Sequence, residues 1–264
     1  MYEFEYHRAG NVGEAVDLLS KSSDGQYLAG GMSLVPTLKL RLARHEDLID
    51  LNGAGELAGV SAAGGSVTVG AMTRHEAVAD SADVQKAIPA LAALAGGIGD
   101  PHVRHRGTIG GSIANNDPAA DYPAAVLGLG ATVHTNKREI SADDFFTGLF
   151  ETALDEGEII TKVVFPAPDV ACYIKFPNPA SRFAIVGSFV SKKGDDVRVA
   201  ITGAGPGVFR VAEMEAALKA NFAADAVANI KVSPDGLNAD IHGSAEYRAH
   251  LLTVLSKRAV AGCG

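Results

Sequence analysis

The chain has 264 residues, room for one or two domains and a substantial core without staples. Its 23 Lys+Arg against 31 Asp+Glu leave a formal net charge of −8, with 47% hydrophobic and 20% charged residues. That balance is globular, and the absence of any clustered basic run excludes a nucleic-acid binder. The 2 cysteines, Cys172 and Cys263, are too few for a disulfide framework. Unaided they cannot hold an iron–sulfur cluster or a structural zinc, which need about four ligands. No apolar run approaches the ~20 residues of a transmembrane segment. The N-terminal MYEFEYHRAG lacks a signal-peptide core, so a cytoplasmic location is expected. The unusual figure is 30 glycines, well above the usual ~7%.

Asn11 can cap a short helix whose Val12, Ala15, Val16 and Leu19 share one face. Residues 27–29 read as a strand running into Gly30-Gly31-Met32-Ser33, and Pro36 suits the first turn of a helix through 42. Residues 47–51 are strand-like. Residues 60–62 and 67–69 flank Gly64-Gly65, a hairpin signal. Thr73 and Glu76 have capping-box spacing for the next helix. Residues 89–95 read as a buried Ala/Leu helix that ends at Gly96-Gly97. From 97 to 131, the first half shows no helix or strand period; residues 122–129 read as a helix. Residues 131–134 and 139–141 form a hairpin at Asn136-Lys137, and 158–165 form a strand.

Pro166 and Pro168 mark a linker. Beyond it, 172–176, 185–191 and 197–202 read as strands, the last two joined at Gly194-Asp195. Residues 213–220, 225–230 and 244–261 read as helices, the last with Tyr247, Leu251, Leu252 and Leu255 along a core face. The fold class is therefore α+β, with a boundary near 168.

Two glycine clusters carry the chemistry. Gly30-Gly31-Met32-Ser33 lies between a strand and a helix, where exposed N–H groups and a hydroxyl can form an anion-binding concavity. The alternative is an ordinary strand–helix turn. Thr108-Ile109-Gly110-Gly111-Ser112 repeats the pattern, with Asn115, Asn116, Asp117 and Asp121 following. A long irregular run of this kind is commonly functional, and two such loops can cradle the halves of one diphosphate; the alternative is two unrelated loops.

P-loop, Rossmann and nucleophile-elbow motifs are absent from the sequence. His102 and His105 have a possible ligand spacing, but Pro101 argues against a helix there and Arg104 and Arg106 oppose a cation, so no metal site is assigned. Lys175 and Arg182 follow the linker and suit either an anionic ligand or a snorkelling role at a sheet edge.

At these loops the sequence resembles a known family. Leu28-Ala29-Gly30-Gly31-Met32-Ser33-Leu34-Val35-Pro36, then Lys39-Leu40-Arg41-Leu42, is similar to the first FAD loop of the medium, flavin-binding subunits of molybdenum hydroxylases, the family of the aerobic carbon monoxide and xanthine dehydrogenases. Gly99-Asp100-Pro101-His102-Val103-Arg104, Arg106-Gly107-Thr108-Ile109-Gly110-Gly111-Ser112 and Asp117-Pro118-Ala119-Ala120-Asp121-Tyr122-Pro123-Ala124 resemble the second. Asp240-Ile241-His242 and Ala245-Glu246-Tyr247-Arg248 resemble the family's small C-terminal domain.

The resemblance implies a two-subdomain FAD-binding domain of the vanillyl-alcohol-oxidase (PCMH) type over 1–168, with subdomains about 1–54 and 55–168. A small α+β C-terminal domain over 169–264 would follow. It implies that Leu28, Ala29, Gly30, Gly31, Met32, Ser33, Leu34 and Val35 wrap the pyrophosphate and reach the isoalloxazine. Thr108, Gly110, Gly111 and Ser112 would meet the pyrophosphate from the other side. Asn115, Asp117 and Asp121 would line the ribose and adenine end, and Ile98, Ile160 and Lys175 would contact the cofactor. Met32 and Asn115-Asn116 depart from the relatives' Gln or His and Ala-His-Ala.

The implied function is electron transfer. FAD would take electrons from [2Fe–2S] clusters on a small partner subunit, fed by a large molybdenum-cofactor subunit, and reduce an external acceptor. A dimer of heterotrimers is implied. The missing acid, base or nucleophile then belongs on another chain, as do the clusters. Two other readings stand beside it. One is a self-sufficient FAD-dependent oxidase or reductase, for which His242 and His250 are the conspicuous candidates. The other is a non-enzymatic assembly module with a decayed flavin site.

Overall fold

The computed structural model describes residues 1–263, and their fold is α+β. The first fifty residues alternate strand and helix: β1 (Glu5–Arg8), α1 (Val12–Lys21), β2 (Gly25–Leu28), α2 (Leu34–Lys39) and β3 (Asp47–Asp50). Such alternation favours parallel pairing, and β3 lies between β1 and β2, parallel to both. The polar β1 has no strand period of its own; its pairing with β3, which carries buried Leu48 and Ile49, makes it a strand. Asn11 caps α1, its side chain accepting from the Glu14 amide at 2.9 Å. α2 stops at Lys39 rather than 42. Arg41 turns to φ 58° and the Leu42 amide reaches back to Thr37 O at 3.0 Å, a Schellman finish.

The next segment contains β4 (Val60–Ala63), β5 (Ser66–Gly70), α3 (His75–Asp80), α4 (Ala82–Ala87) and α5 (Pro89–Gly96). Then come α6 (Pro101–Arg106), α7 (Ile109–Asn115), α8 (Tyr122–Gly128), β6 (Thr132–Thr135), β7 (Glu139–Ser141) and α9 (Ala142–Phe145). A short ribbon of β8 (Phe146–Gly148) and β9 (Glu151–Thr152) precedes β10 (Ile160–Pro166). Five strands form an antiparallel sheet in the order β4-β5-β10-β6-β7. Its apolar face packs on the helices through Ile88, Leu91, Ile109, Tyr122, Phe145 and Phe165, all fully buried.

Two local expectations fail here. The first half of 97–131 is helical, in α6 and α7. Pro101 stands in the first turn of α6, where its missing N–H costs nothing, and Asp100 accepts from Val103 N at 3.0 Å. Thr108 caps α7 by accepting from Gly111 N at 3.2 Å. The Thr73–Glu76 capping box does not form. Thr73 Oγ1 instead donates to Gly59 O at 2.9 Å, and Glu76 meets His105 Nδ1 at 2.9 Å.

After Pro168 come β11 (Val170–Pro177), β12 (Ala184–Lys193), β13 (Asp196–Thr202), β14 (Phe209–Arg210), α10 (Ala212–Ala220), α11 (Ala224–Val227) and α12 (Ala245–Gly262). The strands form an antiparallel sheet in chain order. One face meets α10 and α12 through Val186, Val190, Ile201, Leu252 and Leu255; through the other, Phe189 and Ala200 join the core of the preceding segment. Burial on both faces extends over residues 184–191 of β12, where the Ser188 and Ser191 hydroxyls are hydrogen-bonded in the interior. Buried Arg248 locks α12 down, donating to Ile185 O at 2.6 Å, Gly203 O at 3.0 Å and Asp240 Oδ2 at 2.8 Å. The helix expected at 225–230 is a single turn, α11. Tyr247 is 42% exposed and stands edge-on to Phe176 instead of entering the core.

A Cβ on Gly30 would lie 2.2 Å from Arg106 O, whereas one on Gly55 would meet nothing within 4 Å. Gly30→Ala is therefore expected to cost about 2 kcal/mol or more by overpacking. Gly55→Ala should stay within about 1 kcal/mol. Urea denaturation of the two variants checks the contrast.

Candidate functional site

The loop after β2 is built to leave its backbone donors free. Leu28 and Val35 pack beneath Gly31, whose φ of +73° turns the chain. The first amides after the strand that find protein acceptors are Val35 N, on Gly31 O, and Thr37 N, on Ser33 O, both at 3.1 Å. The amides from Gly30 to Leu34 donate to no protein acceptor among the described residues. Five consecutive free N–H groups make a cradle suited to an anion.

The second loop lies directly against the first. Gly30 approaches Gly107 so closely that a Cβ would sit 2.7 Å from Gly107 Cα. Gly111 faces Ala29, 3.3 Å from the position its own Cβ would take. The amides of Ile109 and Gly110 are already used, donating to Thr73 O at 3.1 Å and Ala71 O at 2.8 Å. This side therefore offers the Ser112 hydroxyl and polar side chains, while the free amides belong to the first loop.

Both loops open into one cavity of about 1010 Å³, at the upper end of the ~300–1,000 Å³ range of small-molecule sites. Of the residues singled out from sequence, Ala29, Gly30, Gly31, Met32, Ser33, Leu34, Ile98, Thr108, Gly110, Gly111, Ser112, Asn115, Asp117, Asp121 and Ile160 line it. Leu28, Val35 and Lys175 do not. The first two support Gly31 from the protein side. Lys175 stands behind Asp121, its Nζ 3.0 Å from Asp121 Oδ2 and 2.8 Å from Gly97 O. The Tyr173 hydroxyl also donates to Asp121. Burial pushes the Asp121 carboxyl above its ordinary range, and the Lys175 ammonium opposes that shift.

Asn116 is withdrawn from the cavity. It ends α7 at φ 43° and donates through Nδ2 to Gly148 O at 2.9 Å and Glu151 O at 2.8 Å, tying the helix to the β8–β9 ribbon.

The cavity also brings in residues that local patterns did not single out. His75, at the start of α3, underlies Gly107: its amide donates to Gly107 O at 3.0 Å, and a Cβ on Gly107 would lie 2.5 Å from its Nε2. Phe150 and Phe183, both about half exposed, line the wall from the β8–β9 and β11–β12 turns. Arg182, singled out from sequence with Lys175, also lines the cavity and is the single Lys or Arg among the described lining residues. His102 and His105 lie outside on α6, beside Asp100 and Glu76.

Residues 2–168 match the family described as the FAD binding domain in molybdopterin dehydrogenase. The chain belongs to that family. With it come FAD as the cofactor and the oxidoreductase class. The carbon monoxide dehydrogenase medium chain of Hydrogenophaga pseudoflava is 36% identical over 276 residues, 97% of this chain and 96% of that protein. The nicotine 6-hydroxylase medium subunit of Paenarthrobacter nicotinovorans is 34% identical over 273 residues, 98% of this chain and 96% of that protein. A solved carbon monoxide dehydrogenase from Hydrogenophaga pseudoflava superposes with a TM-score of 0.88 over 99% of this chain and 97% of that one. The chain is thus an FAD-binding subunit of the medium type found in molybdenum hydroxylases.

The residues present fit the cofactor. A dinucleotide is long, apolar at the flavin and anionic at its middle. The cavity joins apolar Ile98, Ile160 and Met72 to the free amides of residues 30–34 and to polar Asn115 and Asp117.

Burial, and secondarily Arg104, pushes the His75 imidazole down to about 4, so it is neutral in the folded protein near neutrality. The unfolded chain binds that proton near pH 6.5 and the folded chain only near 4. Its contribution is present above pH 6.5 and lost as pH falls toward 4, about 3 kcal/mol across that window. His75→Phe should flatten this limb of the stability–pH curve, measured by urea denaturation at stepped pH.

Proposed function

We propose that this chain is the electron-transfer flavin subunit of a molybdenum hydroxylase. In this reading it takes electrons from [2Fe–2S] clusters on a small partner subunit and passes them to an external acceptor. A large molybdenum-cofactor subunit oxidises the substrate. The assembly is a dimer of heterotrimers in the cytoplasm. The observation that carries the reading is the apposed pair of glycine loops on one cavity, with five free amides among its lining residues. Among the described residues, no helix is long and apolar enough to cross a membrane.

Residues 1–168 form the FAD-binding domain, in subdomains of about 1–54 and 55–168; residues 169–264 form the C-terminal domain. The amides of Gly30, Gly31, Met32, Ser33 and Leu34 hold the pyrophosphate, while Ser112 and Thr108 approach from the facing loop. Gly110 and Gly111 let that loop pack closely. Ile98 and Ile160 give the flavin an apolar seat and exclude water from it. Asn115, Asp117 and Asp121 face the ribose and adenine end, and Lys175 acts there by holding Asp121. When bound, FAD would supply the redox chemistry. The protein supplies position and electrostatics.

His242 and His250 are both exposed and neither lines the cavity. That favours an electron carrier over a self-sufficient oxidase with its own acid or base.

Ser33→Asp places a carboxylate among the free amides while keeping a helix-capping residue type. It should weaken FAD binding by about tenfold or more through repulsion of the diphosphate. Fluorescence titration of the folded variant checks this, and unchanged affinity overturns the loop assignment. Co-expression with candidate iron–sulfur and molybdenum subunits should yield one complex whose flavin is bleached by substrate. Substrate turnover by the isolated chain overturns the electron-carrier role.

A further inference from the structure

The chain has 2 cysteines, far apart in sequence, and the fold sets Cys172 against Gly262, the residue before Cys263. Cys172 lies on β11. Cys263 caps the end of α12, its amide donating to Val260 O at 3.2 Å. Between the two elements stands Gly262, whose missing side chain lets Cys172 in: a Cβ there would lie 3.0 Å from Cys172 Sγ. Both residues are only partly buried, so a small oxidant can reach them.

We propose that Cys172 and Cys263 form a thiol–disulfide site that reversibly staples the C-terminal helix to β11. The oxidant is a hydroperoxide. The Cys172 sulfur attacks the O–O bond of hydrogen peroxide, giving a sulfenic acid and one water. The Cys263 thiol then attacks that sulfur, forming the S–S bond and releasing a second water. In sum, two thiols and one hydrogen peroxide become one disulfide and two waters.

The order of the two sulfurs follows from their surroundings. The neighbouring Cys263 thiol draws Cys172 down to about 7. Cys263 is pushed up by the same contact and by burial. Cys172 is therefore the nucleophile and Cys263 the resolving thiol.

The strand that receives the staple gives it reach. On β11, Cys172, Ile174 and Phe176 pack toward the core beneath α12, while Ala171 and Tyr173 pack toward the other core. Tyr173 and Lys175 hold Asp121 at the cavity wall. A bond at Cys172 thus pins one face of the strand whose opposite face supports that carboxylate.

The test uses the reduced full-length chain and one equivalent of hydrogen peroxide. The expected result is loss of both titratable thiols, loss of the mass of two hydrogens, a crosslinked peptide joining the two segments, and reversal by dithiothreitol. The oxidised chain should also melt several degrees higher, since the closed loop is long. In Cys263→Ser the reaction should stop at a sulfenic acid on Cys172 that dimedone traps; the wild-type chain should give little adduct. Cys172→Ser should consume peroxide about tenfold more slowly. Two thiols still free after treatment, a bridge between chains, or equal dimedone capture in wild type and Cys263→Ser overturns the proposal. An unchanged midpoint of the crosslinked chain overturns the stapling.

Discussion

The site depends on one backbone contact. Gly30 lies against the peptide joining Arg106 and Gly107, at a distance that leaves no room for a Cβ. Close packing of this kind transmits small volume changes directly into strain. It sets the spacing of the two loops, whose residues line the cavity. Glycine therefore serves the ligand here indirectly. Gly30 and Gly110 are required by the neighbouring backbone, and the donors are free because loop packing leaves them without protein acceptors.

The layers around the cavity share their supports. β11 belongs to the last sheet but contributes Ala171 and Tyr173 to the core of the preceding segment. From the same strand, Lys175 reaches Asp121 and Gly97 O. The cavity wall is thus braced by an element that follows Pro168 in the chain. A buried carboxylate alone would be costly; the nearby ammonium and phenol hold it in place. His75 plays the matching part under Gly107, buried and neutral, with a backbone bond rather than a charge holding the loop.

Most elements with their own period or cap were legible. The Asn11 cap, the Gly64-Gly65 hairpin, the strand at 185–191 and the long last helix all appear where local patterns put them. The misreadings have specific causes. Pro101 argues locally against a helix yet occupies the first helical turn, where proline is favoured. Gly110 and Gly111 masked α7 because their low helix propensity is outweighed by packing against Ala71 and Ala29. Thr73 had capping-box spacing, but Gly59 supplied a competing partner. β1 carried no signal, since an edge strand with polar residues owes its form to its neighbour.

The sequence by itself determined the fold class, the two glycine loops and, through their resemblance, the family. Those features rest on short-range spacing, which one chain displays completely. Only the tertiary structure decided which loop has free amides, because that depends on acceptors brought from Ala71 and Thr73. It also decided that Lys175 stands behind Asp121, that His75 underlies Gly107, and that Cys172 lies against Gly262 beside Cys263. These are contacts between residues distant along the chain, and no local pattern encodes the distance between them.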